Sequence, residues 1–550
     1  MRIQRLFLPL LLLVLTTCRN GETPTGTNPP PPSTEQAVSV LTQHNDNNRT
    51  GWNDNEQVLT TANVNTQQFG LVFTLPVDDQ TYAQPLVAGH VLIDGAYHNV
   101  VIVATVNNTV YAFDGDDGTL YWQKNFTMPG MRPPTRFDMT GACEGFYTDF
   151  SGNIGIVGTP VIDGVSGRIY FVARSTDGLS FVQHLHAINI VDGAEVAGGP
   201  RQITATYNGN GLDNVGGVIT FNAQKQNQRQ GLTLVNGTVY VSYSSHCDWG
   251  PYHGWILGYD ASTLQQQIVY NDTPNGYFGG LWESGMGMAT DAQGNLYVVT
   301  GNGTVGDAGD PTNPINRGSS ALKLTVSGST LQVASYFTPY NYDLLNEHDL
   351  DYGGMGALLV PSSNLYLTGG KDGNLYVLNK DDMGGWQPSF NQVRQVVPLG
   401  TGNINLHCQA AYYKSGSGEF VYVWSENDKL RAIPVNAASG LLNASDQITS
   451  AVPGPVGQSG AILSVSSNGA SDGTGILWAS YAASGNAGLE VRPGILRAFD
   501  ASDVTRELWN SQLDSRDVPG NFAKFAAPTI ANGRVYLPTF SNRVMVYGLR

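Results

Sequence analysis

Charge is scarce in this chain. Asp, Glu, Lys and Arg make up 13% of its 550 residues, about half the share usual for a soluble domain. What charge there is leans negative, with 28 Lys and Arg against 44 Asp and Glu and a net of −16. So few cations argue against nucleic acid as a partner, because neutralising phosphates takes clustered Lys and Arg. They argue equally against a broad electrostatic hold on anionic lipid. Cysteine is nearly absent, with only Cys18, Cys143, Cys247 and Cys408. No two are adjacent, and the pairs His246-Cys247 and His407-Cys408 lack the tight ligand spacing of a structural zinc motif. No stretch after the first residues is long and apolar enough to span a bilayer. Phosphate-loop and His-Glu-x-x-His motifs are missing too. Glycine, by contrast, is abundant at 66 residues, and the hydrophobic share of 41% is too high for a disordered chain.

The first residues read as an address. Arg2 and Arg5 lead into ten apolar residues, 6–15, which suits a signal-peptide core and falls short of the ~20 residues of a spanning helix. Leu15-Thr16-Thr17-Cys18 resembles a bacterial lipobox, whose Cys is acylated and becomes the mature N-terminus. Thr17 departs from the Gly, Ala or Ser usual before that Cys, and ordinary secretion is the alternative. No Asp follows Cys18, so the commonest inner-membrane retention signal is missing. The expected location is extracytoplasmic, as an outer-membrane or cell-surface lipoprotein or a secreted protein. Residues 19–37 hold five prolines and almost no large apolar side chain. They read as a disordered, partly polyproline II spacer.

The remainder, 38–550, is a repeat. A β-rich run, usually with a central Tyr, recurs eight times, centred on Ile102, Tyr170, Tyr240, Tyr297, Tyr366, Tyr422, Leu477 and Tyr536, with a mean step of 62 residues. A second strand follows each, and its column Phe113, Ile188, Tyr259, Leu324, Leu378, Ile433, Phe499 and Tyr547 keeps the same step of 62. An earlier strand, often led by Gly or Pro, precedes each run, as at Gln84-Pro85-Leu86-Val87 and Ala527-Pro528-Thr529-Ile530. Turn signals such as Asn236-Gly237 and Asn532-Gly533 lie between. These features predict an all-β, eight-bladed β-propeller of four-stranded antiparallel blades. The eighth unit stops after three strands, and the unpartnered run 69–77 would supply its outer strand and close the ring. Seven blades plus an accessory hairpin is the alternative.

On the stretches TQHNDNNRTG (42–51), IGIVGTPVID (154–163), HCDWGPYHGWILGYD (246–260), GGKDGNLYVLNKDDMGG (369–385) and GNFAKFAAPTIANGRVYLPTFSN (520–542), the chain resembles the PQQ-like β-propellers of the quinoprotein alcohol dehydrogenase-like superfamily. It looks closest to a secreted bacterial group without assigned activity. The resemblance implies the fold. For an enzyme it would further imply pyrroloquinoline quinone (PQQ) stacked on a Trp and a vicinal Cys-Cys disulfide, with Glu, Asn and Asp around Ca²⁺.

Several residues invite a site. Trp282-Glu283 are the candidates for holding PQQ. Glu347, Asp349 and Asp351 alternate in EHDLD, so on a strand they would share one face. On a loop at the channel mouth they would suit Ca²⁺ or a cationic ligand, and a solvated acidic loop is the bland reading. Asp46-Asn47-Asn48-Arg49-Thr50-Gly51 begins like a calcium loop, but Gln57 stands where the bidentate Glu belongs. A hydrogen-bonded N-terminal turn is the better reading. Asp307, Asp310 and Asn313 read as turn residues. Arg516-Asp517 and Lys524 lie beside the last blade, at the channel mouth or in a salt bridge. If Cys18 is acylated, the other three cysteines allow at most one disulfide, and buried inert thiols are the simpler expectation. The first functional reading is a non-catalytic, exported scaffold without a cofactor, holding a protein or carbohydrate partner at the channel mouth. The alternative is a periplasmic dehydrogenase using PQQ and Ca²⁺ to oxidise an alcohol or sugar.

Overall fold

A computed structural model describes residues 37–196, 198–400, 404–436 and 439–550. The signal segment and Cys18 lie outside the described residues. Eight antiparallel sheets follow one another around a ring. Blade 1 consists of Leu86–Ile93, Ala96–Ala104, Thr109–Asp114 and Leu120–Asn125, hydrogen-bonded in chain order. The same meander returns in blades 2 to 7, whose inner strands contain Val161, Thr233, Ala289, Leu358, Ala411 and Ile462. Blade 8 is built from Thr529–Ala531, Arg534–Leu537, Arg543–Leu549 and, as its outer strand, Phe69–Pro76. The expected closure is therefore present, in the register Phe69↔Leu549 to Pro76↔Arg543. Asp517 fastens it further, accepting from Leu71 N at 2.9 Å and pairing with Arg550. Among the described residues one six-residue α-helix, Tyr342–Glu347, interrupts the β-structure.

The recurring Tyr has a clear structural role. Tyr170, Tyr422 and Tyr536 donate their hydroxyls to Ala261 O (2.7 Å), Ala501 O (2.6 Å) and Gly115 O (3.0 Å). Each acceptor lies in the turn that ends the third strand of the next blade. The ring packs in an apolar core while the hydroxyl satisfies a backbone carbonyl, so one residue type bolts neighbouring blades together. The cores themselves lie between blades; one cluster, for example, joins Val172 of blade 2 to Leu257 of blade 3.

The sequence gives no hint of what fills the axis. Inner strands leave a row of backbone groups facing the ring centre, and buried groups of this kind must be paired. Residues 40–53 satisfy them by winding once round the inside. Val40 exchanges both backbone bonds with Val87, Ile162 N donates to Leu41 O (2.8 Å), and Asn47 Nδ2 donates to Leu234 O (3.1 Å). Thr290 N, Leu359 N, Tyr412 N and Val465 N then donate to the carbonyls of Asn47, Asn48, Thr50 and Gly51 at 2.7–2.9 Å. Asn53 Nδ2 completes the circuit on Ile530 O at 2.8 Å. Seven of the eight partners are the second residue of their inner strand, and Val465 is the fourth of Ile462–Ser466. Asp46 shapes the winding rather than holding an ion, since its carboxylate accepts from Thr50 N (3.2 Å) and Thr50 Oγ1 (2.5 Å). Gly51 has φ 66°, and a Cβ there would lie 2.5 Å from His44 Nε2, so only glycine fits this step.

Arg49 anchors this plug. Its side chain is fully buried and donates to Met288 O, Thr42 Oγ1, Gln43 O and Thr233 Oγ1 at 2.6–3.1 Å. Burial lowers its pKa to about 10, opposed by the Asp46 and Glu283 charges, so it remains charged at neutral pH.

Candidate ligand site at the propeller axis

Above the plug is a cavity of about 200 Å³. Its walls come from loops that link successive blades: Asp149, Arg229, Trp282 and Ser284, Asp349 to Gly354, His407, Gln458, and Lys524 with Phe525. Loops within blades 3 and 5 add Cys247, Asp248 and Lys371. Gln409 joins the cavity to the plug. Its Nε2 donates to Ser284 O (2.7 Å) and Phe525 O (3.2 Å), and its Oε1 accepts from Gln43 Nε2 (3.1 Å). The plug thus floors the cavity.

The backbone around this cavity is strained. Cys247, Asp248, Ser284, Asp349 and Phe525 all line it with φ between 48° and 67°. Left-handed conformations are costly for such residues and persist where surrounding structure enforces them, which is common at ligand sites.

The cavity has two electrostatic halves. On one side Lys371 Nζ lies 2.9 Å from Asp349 and 2.7 Å from Asp351. Burial opposes the Lys371 charge, but Asp351 and Asp349 outweigh it and hold its pKa above the ordinary lysine value. Asp248 belongs to this half: burial, then the Asp351 charge, raises its pKa to about 6, while the Tyr252 hydroxyl (2.6 Å) opposes. On the other side stand Arg229 and Lys524, 7% and 4% exposed. His407, at the cavity wall near Gly354, has its Nδ1 2.6 Å from Glu426 Oε1, an arrangement that fixes the imidazole.

The residues expected from sequence are only partly brought together. Trp282 lines the cavity. Glu283 does not: it is fully buried, and its Oε1 accepts from Val299 N at 2.5 Å. Burial pushes its pKa well above the usual carboxylate value. The chain turns with φ 44° at Glu283 and 51° at Ser284, so neighbouring side chains leave in different directions. Asp349 and Asp351 meet at Lys371, but Glu347 is exposed at the end of the helix Tyr342–Glu347 and is not among the cavity residues. The expected strand-like alternation is replaced by this helix and a left-handed Asp349, φ 53°. Among the described residues no three His, Cys, Asp or Glu side chains converge as metal donors. Lys524 lies at the cavity as the sequence suggested, whereas Arg516 pairs with Asp514 and Asp517 serves the ring closure.

The cysteines need one correction. Cys143 and Cys247 are not inert thiols but form a disulfide across 104 residues, and Cys247 borders the cavity. Cys408 is a buried free thiol whose pKa burial raises to about 12. Sequence reasoning weighed His407 and Asp248 only as zinc ligands and missed Arg229 and Lys371. The four come from separate loops, and no local motif joins them.

The architecture is that of an eight-bladed β-propeller. Among solved structures, the chain is similar to a europium-containing methanol dehydrogenase, with 12% identity, TM-score 0.58 and coverage of 93% of this chain and 98% of that one. It is similar as well to the quinohemoprotein alcohol dehydrogenase ADHIIG from Pseudomonas putida HK5, with 14% identity, TM-score 0.55 and coverage of 93% and 80%. A third is the quinohemoprotein alcohol dehydrogenase from Comamonas testosteroni, with 14% identity, TM-score 0.53 and the same coverages of 93% and 80%. At these identities the likeness is one of fold. No protein-family model matches the chain, and no curated protein matches it.

Proposed function

We propose that the protein is a binding propeller that holds a small organic molecule in the axial cavity and presents it at the open mouth of the ring. The observation that carries this reading is the convergence of most of the blade-to-blade loops, with strained backbone, on one plug-floored cavity. A closed ring of sheets holds such loops in fixed positions.

The quinoprotein fold also raises PQQ with Ca²⁺, and the residues fit only half of that pair. Trp282 offers an aromatic surface, the Cys143–Cys247 disulfide borders the same cavity, and two cations suit the acid groups of a quinone tricarboxylate. The disulfide links distant loops, however, rather than adjacent residues. Asp349 and Asp351 are committed to Lys371, and Glu347 lies outside the cavity. The donor set therefore does not suit Ca²⁺, and a binding role is favoured over oxidation. The deciding experiment adds PQQ and CaCl₂ to the purified protein with an artificial electron acceptor. A thermal shift with PQQ alone and no dye reduction is expected. Calcium-dependent oxidation of alcohols or sugars would replace the binding reading with the dehydrogenase.

The outer setting is part of the same proposal. Acylated Cys18 would tether the ring outside the cytoplasm, and the mouth would meet a protein or carbohydrate partner. Intact mass of the mature protein tests the anchor: a diacylglyceryl increment on Cys18 is expected, and a cleaved chain lacking it would leave plain secretion.

A further inference from the structure

From the cavity's cationic half we infer that Arg229 and Lys524 form a subsite for the carboxylate of a small organic acid. This deepens, and rests on, the reading of the cavity as a small-molecule site. Both side chains are more than nine-tenths buried, and both line the cavity. Neither the guanidinium nor Lys524 Nζ makes a hydrogen bond or ion pair within the described residues, and Arg229 Nη2 is a buried donor without a partner. Asp149 is the nearest acidic candidate, lining the same cavity, yet it forms no ion pair with either cation. Arg229 is held in place instead by aromatic faces, with its guanidinium carbon 4.2 Å from the Phe525 ring centre and 5.9 Å from that of Phe150.

Two adjacent buried cations without an ion-pair partner are costly, since charges away from water require one. Elsewhere along the axis Lys371 has two carboxylates and Arg49 has backbone and hydroxyl acceptors. The unmet pair is the part of the cavity where an anion from outside supplies what the fold does not. Arg229 offers a planar fork suited to the two oxygens of a carboxylate, and Lys524 a point charge beside it. Burial lowers the Lys524 pKa to about 8, opposed by the Asp149 charge and reinforced by that of Arg229. A bound carboxylate would restore it upward. The opposite half, with Asp248, Asp349 and Asp351, accepts hydrogen bonds. The complementary ligand is therefore an acid bearing a hydroxyl or amine at its far end.

The test titrates the full chain calorimetrically with gluconate, inorganic phosphate and glucose, then repeats it with Lys524→Met and Arg229→Gln. Gluconate binding is expected, weakened about tenfold or more in each variant, as for loss of a charge-assisted hydrogen bond. Lys524→Met removes an unpaired buried charge, so it should fold at least as well as the parent. Gluconate affinity unchanged in both variants would overturn the assignment. Glucose bound with gluconate and phosphate ignored would overturn the carboxylate subsite while keeping the cavity as a ligand site. Phosphate bound in preference to gluconate would make it an inorganic oxyanion site. No binding of any of the three, nor of PQQ, would overturn both readings.

Discussion

Two buried arginines mark the two ends of the axis, in opposite circumstances. Arg49, in the plug, spends its donors on Met288, Thr42, Gln43 and Thr233. Arg229, in the cavity, lies between Phe150 and Phe525 with a buried donor unpartnered. The same residue type, equally far from water, thus does two jobs. Where its hydrogen bonds close within the chain it is structural; where they remain open it is poised for something the chain does not contain. The backbone does not carry the contrast, since the plug is left-handed at His44, Asn45, Arg49 and Gly51 as the cavity rim is; the difference lies in hydrogen bonding, for the plug gives each inner strand a partner. One end is sealed to complete the fold, and the other keeps cost in reserve for binding.

The largest test of this division is Arg49→Ala. Removing that side chain takes the donor from the Gln43 carbonyl and the Thr42 hydroxyl in the middle of the ring, while Thr233 Oγ1 and Met288 O keep only the bond to each other. A loss of about 4 kcal/mol is expected, combining a large-to-small cavity with unsatisfied polar groups. Denaturant unfolding measures it, and an unchanged midpoint would mean that the plug is not structural. Next comes the disulfide at the open end. Breaking Cys143–Cys247 by paired Ser substitutions reopens a loop of 104 residues, and a loss of about 3 kcal/mol is expected, in the range usual for a native crosslink. If ligand binding fell while stability held, the bond would be a positioning element of the cavity rather than a staple. Third is the ring closure. Asp517→Ala removes the acceptor of Leu71 N and the partner of Arg550. About 2 kcal/mol should be lost, mainly as faster unfolding if blade 8 opens first. Equal rates with the parent would place the weak point elsewhere.

How much of each end was legible differs for a physical reason. The blades were readable because each is a local unit: strand, tight turn, strand, with the Tyr of Tyr170, Tyr422 and Tyr536 returning at one period. Even the closing strand Phe69–Pro76 stood out, as an apolar run lacking a neighbour. The plug was not readable. Its partners are single inner-strand residues taken from eight blades, up to 477 residues away, as for Asn53 and Ile530, and its own residues follow neither a helical nor a strand period. Asp46 to Gly51 gave a signal, but that of an ion loop, because Asp, Asn and Gly serve tight turns and cation sites alike. At the open end Trp282 and Lys524 were visible as isolated residues. Arg229 and Lys371 were not, and His407 and Asp248 stood out only for zinc, since each of the four lies on a different loop and only closure of the ring brings them to one cavity.

The smallest predicted effect separates the two ends most sharply, because its sign is reversed. Lys524 has a pKa of about 8 in the fold, below the ~10.4 of an unfolded lysine. Between those values the unfolded chain binds more protons than the native one, so this group makes stability rise with pH from about 8 to about 10.4. Below that window both states are protonated and the native state bears the full cost of the buried charge. Lys524→Met should therefore gain stability at neutral pH, by about 1–2 kcal/mol, and lose the alkaline rise. Unfolding curves at neutral and alkaline pH read both effects. Carboxylate binding should run the other way, weakening as Lys524 deprotonates above about 8. A destabilised Lys524→Met without ligand would show that the cation is already paired within the fold, and the difference between Arg49 and Arg229 would then be one of degree rather than of role.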